Sequence, residues 1–380
     1  LNGIGHMDLR GGDTALKNII GKFRRLGLRY FSNWVNIAVY DAGDKEAKAM
    51  DITGQRTAKG GWCLSYRGPD WVKNMEKYRK KLEIGVNFFA FDDALPCTCY
   101  CKQCKHLFDQ FLKINTGLPY IDPSLFMKDG WKGDQKYKTL WRDFSLWHYG
   151  KTAQVMKNEL VQSARYRGLN SRIYFGISSW LPFTNPSAAK SLIAFDFDIR
   201  QTYMCASSPK RVGDVLYQSQ EALGIYARPL VPTLSPGLSY LHPARALDPY
   251  AQMKYQILES MMTPDFAGYL MYDGHDIDLG DMKYMAQANA LMRRFEEIIL
   301  KGKSIKPIEI NEWSGVRIKK MGSKGLVLVS DYSTYEPEET VVRFSSNELS
   351  EKILIDAETG EKVEPGSGIY NVKIKADRAR

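Results

Sequence analysis

The sequence lacks any run of about 18 uncharged apolar residues, the length a helix needs to cross a bilayer, and its first residues do not join a basic start to an apolar stretch. A membrane span is therefore not expected. The chain opens at Leu1 without a methionine, which leaves room for a removed upstream segment. Localisation is left open: the cytoplasm is favoured, and an extracellular site follows if such a segment is removed. Low-complexity tracts and long charge blocks are also missing, so disorder is not the default. There is no glycine-rich phosphate loop, no G-x-S-x-G elbow and no H-E-x-x-H pair, which tells against nucleotide-binding, serine-hydrolase and zinc-protease chemistry.

What is present has globular proportions, with 44% hydrophobic and 25% charged residues. At 380 residues the chain exceeds the size at which one core stops growing, so a large domain with a smaller one is expected. The formal charge of +10 raises encounter rates with anionic partners. The lysines and arginines look scattered, and aromatics do not interleave with them in one stripe. A solvated basic surface is the favoured reading, and nucleic acid is disfavoured as a partner.

Up to about residue 305, short apolar runs alternate with amphipathic helical stretches, the pattern of repeated βα units. Strands are expected over 29–37, 86–92, 172–178, 195–203, 228–234 and 268–273. Helices are expected over 71–82, 102–113, 140–167, 212–223, 250–262 and 281–301. A complete (β/α)8 barrel of the TIM type has eight strands. Six are clear and 1–9 offers a seventh, so the first βα unit is expected to be missing or supplied from outside this chain. After Pro307 the texture turns to short alternating strands at 325–330, 339–344, 352–355 and 369–374, with a hairpin turn in DAETGEK (356–362). The expected organisation is an α/β barrel over 1–305 and a small all-β, sandwich-like domain over 306–380. A homo-oligomer is left open.

Five of the six cysteines are informative: Cys63, and Cys97, Cys99, Cys101 and Cys104 within PCTCYCKQC. Thiolates bind zinc in fours, and C-x-C and C-x-x-C spacings let one loop and the following helical turn supply several ligands. Cys99, Cys101 and Cys104 provide three ligands, Cys63 is a candidate fourth and Cys97 its rival. Cys205 reads as a lone buried thiol. Disulfides and inert thiols are the competing readings, although adjacent disulfides in so short a loop are geometrically difficult. A site closed by four thiolates is structural.

The run from MDITGQR (50–56) through GGWCLSYRGPDW (60–71) to FDDALPCTCYCKQCKHLFDQFL (91–112) resembles the middle of glycoside hydrolase family 42, the β-galactosidase-type barrels, and related hydrolase-like barrels. The resemblance spans about residues 27–115. It implies a zinc held by Cys63, Cys99, Cys101 and Cys104, and a carboxylate closing the strand before the cluster. It also implies an oligosaccharide or glycoside as substrate, and O-glycosyl hydrolysis as the activity. Two departures stand out. Where the family has Asn-Glu this chain has Asp92-Asp93, and PTLSPG (232–237), at the place of the family's glutamate nucleophile, holds no carboxylate.

Glycoside hydrolysis needs two carboxyl groups flanking the bond. Asp92 or Asp93 is the candidate acid/base, with helix capping as the structural alternative, and Asp198 or Asp273 the candidate partner. Asp196 is weighed beside Asp198. Arg200 and Tyr203 offer a guanidinium and a phenol for substrate, while an ion pair of Arg200 with Asp198 is the competing reading. Trp180 and Tyr240 lie just past strand ends, where an aromatic face stacks on a sugar or packs a loop. His275 is a candidate hydroxyl ligand or a structural histidine. The expectation is a glycosidase-like barrel with a carbohydrate partner. Its rival is a catalytically inactive barrel that binds glycan or serves in an assembly.

Overall fold

The computed structural model describes residues 3–4, 12–27, 29–35, 43–56, 61–91, 98–128, 130–169, 172–179, 189, 192, 194–202, 209–234, 251–271, 277–308, 314–331, 339–349, 352–375 and 378–379. Seven short strands, β1 (Gly3–Ile4), β2 (Tyr30–Val35), β3 (Phe88–Phe91), β4 (Tyr174–Ser179), β5 (Phe197–Gln201), β6 (Leu230–Leu234) and β7 (Leu270–Met271), form one sheet in chain order. The helices are α1 (Gly12–Arg25), α2 (Pro69–Ile84), α3 (Lys102–Asn115), α4 (Pro123–Phe126), α5 (Lys136–Tyr166), α6 (Pro209–Leu223), α7 (Ala251–Met261) and α8 (Leu279–Lys301). Strands in chain order with intervening helices make a TIM-like α/β fold. The seventh strand lies within the 1–9 segment, and an eighth is not among the described residues. Two compact units divide the chain, Leu1–Ile199 with Ala222–Arg228, and Arg200–Glu221 with Pro229–Arg380.

In the first unit, β2, β3 and β4 pair in parallel, with Ser32 opposite Phe88 and Phe88 opposite Tyr174. Strand alternation then sorts the side chains. Phe89 meets Tyr78 of α2 and Phe91 meets Tyr149 of α5, so odd positions of β3 face the helices. Phe88 packs edge-on to Phe197 on the other face, with ring centroids 5.4 Å apart. Helix α2 buries Trp71, Met75, Tyr78 and Leu82 at helical spacing. It ends at Gly85, whose φ of 111° suits glycine and whose missing side chain leaves room for Ile20 and Arg24 of α1. Helices α3, α4 and α5 build a separate aromatic cluster around Phe108, Phe111, Phe126, Trp141 and Phe144.

In the second unit β6 and β7 pair in parallel. Strands β8 (Lys303–Ile305), β9 (Ser314–Met321), β10 (Lys324–Asp331) and β15 (Arg378–Ala379) form an antiparallel sheet, while β11 (Glu339–Ser345) pairs with β14 (Ile369–Lys375) and β12 (Leu354–Ile355) with β13 (Lys362–Val363). The hairpin between β12 and β13 turns on Asp356, whose carboxylate accepts from the N–H groups of Glu358 and Thr359. Strand β9 is buried on both faces. Val316 and Ile318 join Val342, Phe344, Tyr370 and Val372 in one core. Arg317 bonds Glu259 of α7 and Asp214 of α6, and the Lys319 Nζ donates to the Ile299 carbonyl at the end of α8. Gly213 leaves room for this pair, because a Cβ there would collide with Glu259 and Arg317.

Glu259 is fully buried and is held by Arg317 and by the Ser330 hydroxyl at 3.1 Å. Arg317→Met leaves that carboxylate without its cation and should destabilise the protein by about 3–5 kcal/mol in urea unfolding. The double variant with Glu259→Leu should recover most of the loss, and a double variant as weak as the single one would refute this account. Burial lowers the Lys319 ammonium to about 8 from its ordinary 10.5, with Asp265 opposing. Between those values the unfolded chain binds the proton that the folded protein has released, so stability rises with pH across that window. Against Lys319→Met, the wild-type protein should therefore gain about 3 kcal/mol on going from below pH 8 to above pH 10.5. A pH-independent difference in unfolding free energy would contradict it.

Candidate metal centre and strand-end residues

Three segments of the first unit meet around the cysteines. The stretch carrying Cys63 is stitched to the one before it, since the Cys63 N–H donates to the Ala47 carbonyl and Lys48 forms a bridge with Trp62. The Tyr100 N–H donates to the Met50 carbonyl, which fixes the second cysteine segment against the first. Cys101 is the N-cap of α3 and Cys104 sits in its first turn, so two sulfurs stand at a helix N-terminus, where partial positive charge favours thiolates.

All four sulfurs of Cys63, Cys99, Cys101 and Cys104 are buried and lie within 4.8 Å of one another. Cys63 Sγ is 3.7 Å from both Cys101 Sγ and Cys104 Sγ. A tetrahedron with metal–sulfur bonds of about 2.3 Å has edges of about 3.8 Å, which these two separations match. A disulfide would need about 2.05 Å. All four are free thiols, so the disulfide reading does not hold for them. Cys101 is held far below the ordinary thiol range by hydrogen bonds from Cys104, Cys63 and Cys99, while Cys63 and Cys104 are pushed far above it, chiefly by donating to Cys101. Full deprotonation needs a cation at the centre, so the four cysteines could bind a metal, and the donor set fits zinc.

Groups around the sulfurs are consistent with that charge. The Met50 N–H donates to Cys99 Sγ at 3.3 Å. Ser65 Oγ lies 3.2 Å from Cys104 Sγ and 3.1 Å from His148 Nε2 on α5. Burial, reinforced by the Arg67 charge, pushes His148 down to about 4, so it is neutral at pH 7. With a thiolate as acceptor, the Ser65 hydroxyl donates to sulfur and accepts from His148, a support of the kind that fixes metal ligands. Sequence reasoning missed this pair; the one available signal was a histidine on the buried face of the long helix.

The other candidate residues divide sharply. Asp92, Asp93, Trp180, Tyr203, Tyr240, Asp273 and His275 lie outside the described residues, as do Cys97 and Cys205. In the chain, Asp92 follows the last residue of β3, Trp180 the last residue of β4, and Asp273 comes two residues after β7. Asp198 is fully buried in mid-strand. Alternation from Phe197 turns it toward the sheet face that packs on helices. Arg200, also buried, stands two residues further along the strand. Asp196 accepts from the Lys157 ammonium at 2.6 Å and the Phe175 N–H at 2.8 Å, a structural role at the entry to β5.

No family model and no curated protein matches this sequence. Solved structures do. A maltogenic α-amylase from Thermotoga neapolitana superposes with a TM-score of 0.56 at 12% identity, covering 100% of this chain and 83% of that one. The fold is glycoside-hydrolase-like. An Anoxybacillus α-amylase gives a TM-score of 0.56 at 10% identity, over 96% of this chain and 78% of the amylase. A glycoside hydrolase family 27 β-L-arabinopyranosidase variant from Geobacillus stearothermophilus, in complex with arabinose, gives 0.52 at 9%, over 97% and 77%. None of the three singles out family 42 among the glycoside hydrolase barrels.

Protein purified without chelator should carry about one zinc per chain by elemental analysis, and Cys63→Ser or Cys104→Ser should lose it together with thermal stability. Because the ligands bind metal as thiolates, affinity falls as pH falls. Acidification should thus release the metal. Chains that never contain a stoichiometric metal, yet melt like the cysteine variants, would sink the assignment.

Proposed function

We propose that this chain is a glycoside hydrolase of the family 42 type that cleaves a glycosidic bond of an oligosaccharide or glycoside with paired carboxylates. One observation carries the reading. Strand β3 ends at Phe91, Asp92-Asp93 follow at once in the chain, and Cys99 of the sulfur cluster comes six residues after Asp93; Phe91 and Cys99 are both buried. An acid pair thus leaves the C-terminal end of a parallel strand, where barrels of this type carry their chemistry. Cys63, Cys99, Cys101 and Cys104 would hold a zinc as scaffold, and four thiolate ligands would leave it no catalytic part.

One of Asp92 and Asp93 serves as acid/base. Asp273 or Asp198 is its partner, and the mid-strand burial of Asp198 favours Asp273. Trp180, Tyr203, Tyr240, Arg200 and His275 are the residues offered to the sugar. The β-strands from residue 306 onward read as a sandwich-like domain, supported by the core that β9 shares with β11 and β14. The second reading is an inactive barrel that binds glycan. It is favoured by the lack of any carboxylate in PTLSPG, which spans the end of β6 and the residues after it.

A panel of chromogenic glycosides separates the two. Wild-type protein should hydrolyse at least one member, and Asp92→Asn, Asp93→Asn, Asp198→Asn and Asp273→Asn should identify two positions whose loss lowers kcat by at least about 100-fold with the melting temperature unchanged. Binding of several glycosides with cleavage of none would select the inactive barrel.

A further inference from the structure

Two adjacent outer helices of the first unit hold a charge excess that the linear sequence disguises. Helices α1 and α2 carry nine lysines and arginines against four acidic residues, a surplus of five in a chain whose formal charge is +10. The two helices pack on each other. Every one of their acids is already engaged: Asp13 with Lys81, Glu76 with Arg79 and Arg167, Glu83 with Arg167, and Asp70 with the Asp44 N–H. Lys17, Lys22, Arg25, Lys73, Lys77 and Lys80 are exposed, and among the described residues none of them forms an ion pair.

Their placement follows from the helical period. Trp71, Met75, Tyr78 and Leu82 are the buried stripe of α2, and Lys73, Lys77 and Lys80, at spacings of four and three, form the opposite stripe, about 10 Å long. On α1, Leu16 and Ile20 face the core while Lys22 and Arg25 face solvent. Like charges at such spacing repel one another, a cost that a bound polyanion removes.

We infer that the exposed α1–α2 face is a docking surface for an acidic polysaccharide, engaged by its carboxylates or sulfates; the inference rests on the carbohydrate reading given above. Trp71 and Tyr78 are buried, so the face offers no stacking platform of the kind single-stranded nucleic acid uses. The apolar faces of both helices are spent on the core, and the exposed Val72 and Leu26 are too few to anchor the face in a lipid surface.

The test is titration of the full chain with a polyuronate, a neutral polysaccharide of equal length and duplex DNA at several salt concentrations. The polyuronate should bind, with affinity falling as salt rises, and the neutral polymer should not. Charge reversal at Lys73→Glu, Lys77→Glu and Lys80→Glu should weaken polyuronate binding roughly 100-fold with an unchanged melting temperature. Cleavage of any chromogenic glycoside should be the same in the variant, so loss of binding and absence of hydrolysis are read separately. No polyuronate binding at low salt, equal binding by the reversed variant, or tighter binding of DNA would overturn the inference. Should the triple variant unfold, Lys77→Gln and Lys80→Gln singly must each weaken binding severalfold, and no change in either would overturn it as well.

Discussion

Four sulfurs packed within 4.8 Å of one another cannot all be anionic without a positive charge among them. The geometry around them makes sense only under that constraint. The cluster joins a stitched loop before α2 to the first turn of α3, and through Ser65 and His148 it reaches α5. Each contact is weak taken singly. Together they place the start of α3, and hence the aromatic cluster of α3, α4 and α5, relative to the end of β3. A closed thiolate site does no bond-breaking here. What it does is tie the start of α3 to the segment carrying Cys63, which a helix cap alone would leave free to fray.

Much of this architecture can be read from periodicity, and the exceptions have identifiable causes. The long helix was expected over 140–167 and runs Lys136–Tyr166, because apolar spacing is unambiguous over so many turns. Helix α1 carries the same signal in Leu16, Ile19, Ile20 and Phe23 but was passed over, its stretch being broken by Gly12 and Gly21. Strand β9, SGVRIKKM, was also missed. Its alternation of aliphatic and basic residues reads as one wet face, yet Arg317 and Lys319 are buried against helices. No local pattern announces a cation whose partner, Glu259, is 58 residues away.

The candidate site shows the same split between local and distant information. The cysteine spacing CTCYCKQC was legible because ligands on one turn are set by neighbours in sequence. Cys63, 36 residues before Cys99, was placed by resemblance to a family, and the sulfur geometry agrees. Asp198 and Asp196 looked alike as acids at a strand. Packing separates them: one faces an ammonium at the strand's entry, the other is sealed in mid-strand. Burial is a property of the tertiary fold, so residue type alone could not rank them. The scattered appearance of the basic residues has the same origin, since α1 and α2 lie more than 40 residues apart in the chain yet side by side in the fold.

A fold shared with amylases and an arabinopyranosidase at about 10% identity constrains scaffold, not substrate. What narrows the chemistry is where acids stand relative to strand ends. Here β6 ends at Leu234 and is followed by Ser-Pro-Gly, and the end of β7 leads within two residues to Asp273. A carboxylate displaced from one strand end to a neighbouring one changes its distance from the first acid by several ångströms. In glycoside hydrolysis that distance selects between direct attack of the carboxylate and activation of a water. The departure from the family pattern at PTLSPG is therefore a statement about mechanism as much as about activity. A glycosidase built on this arrangement would need its second acid on a strand other than β6.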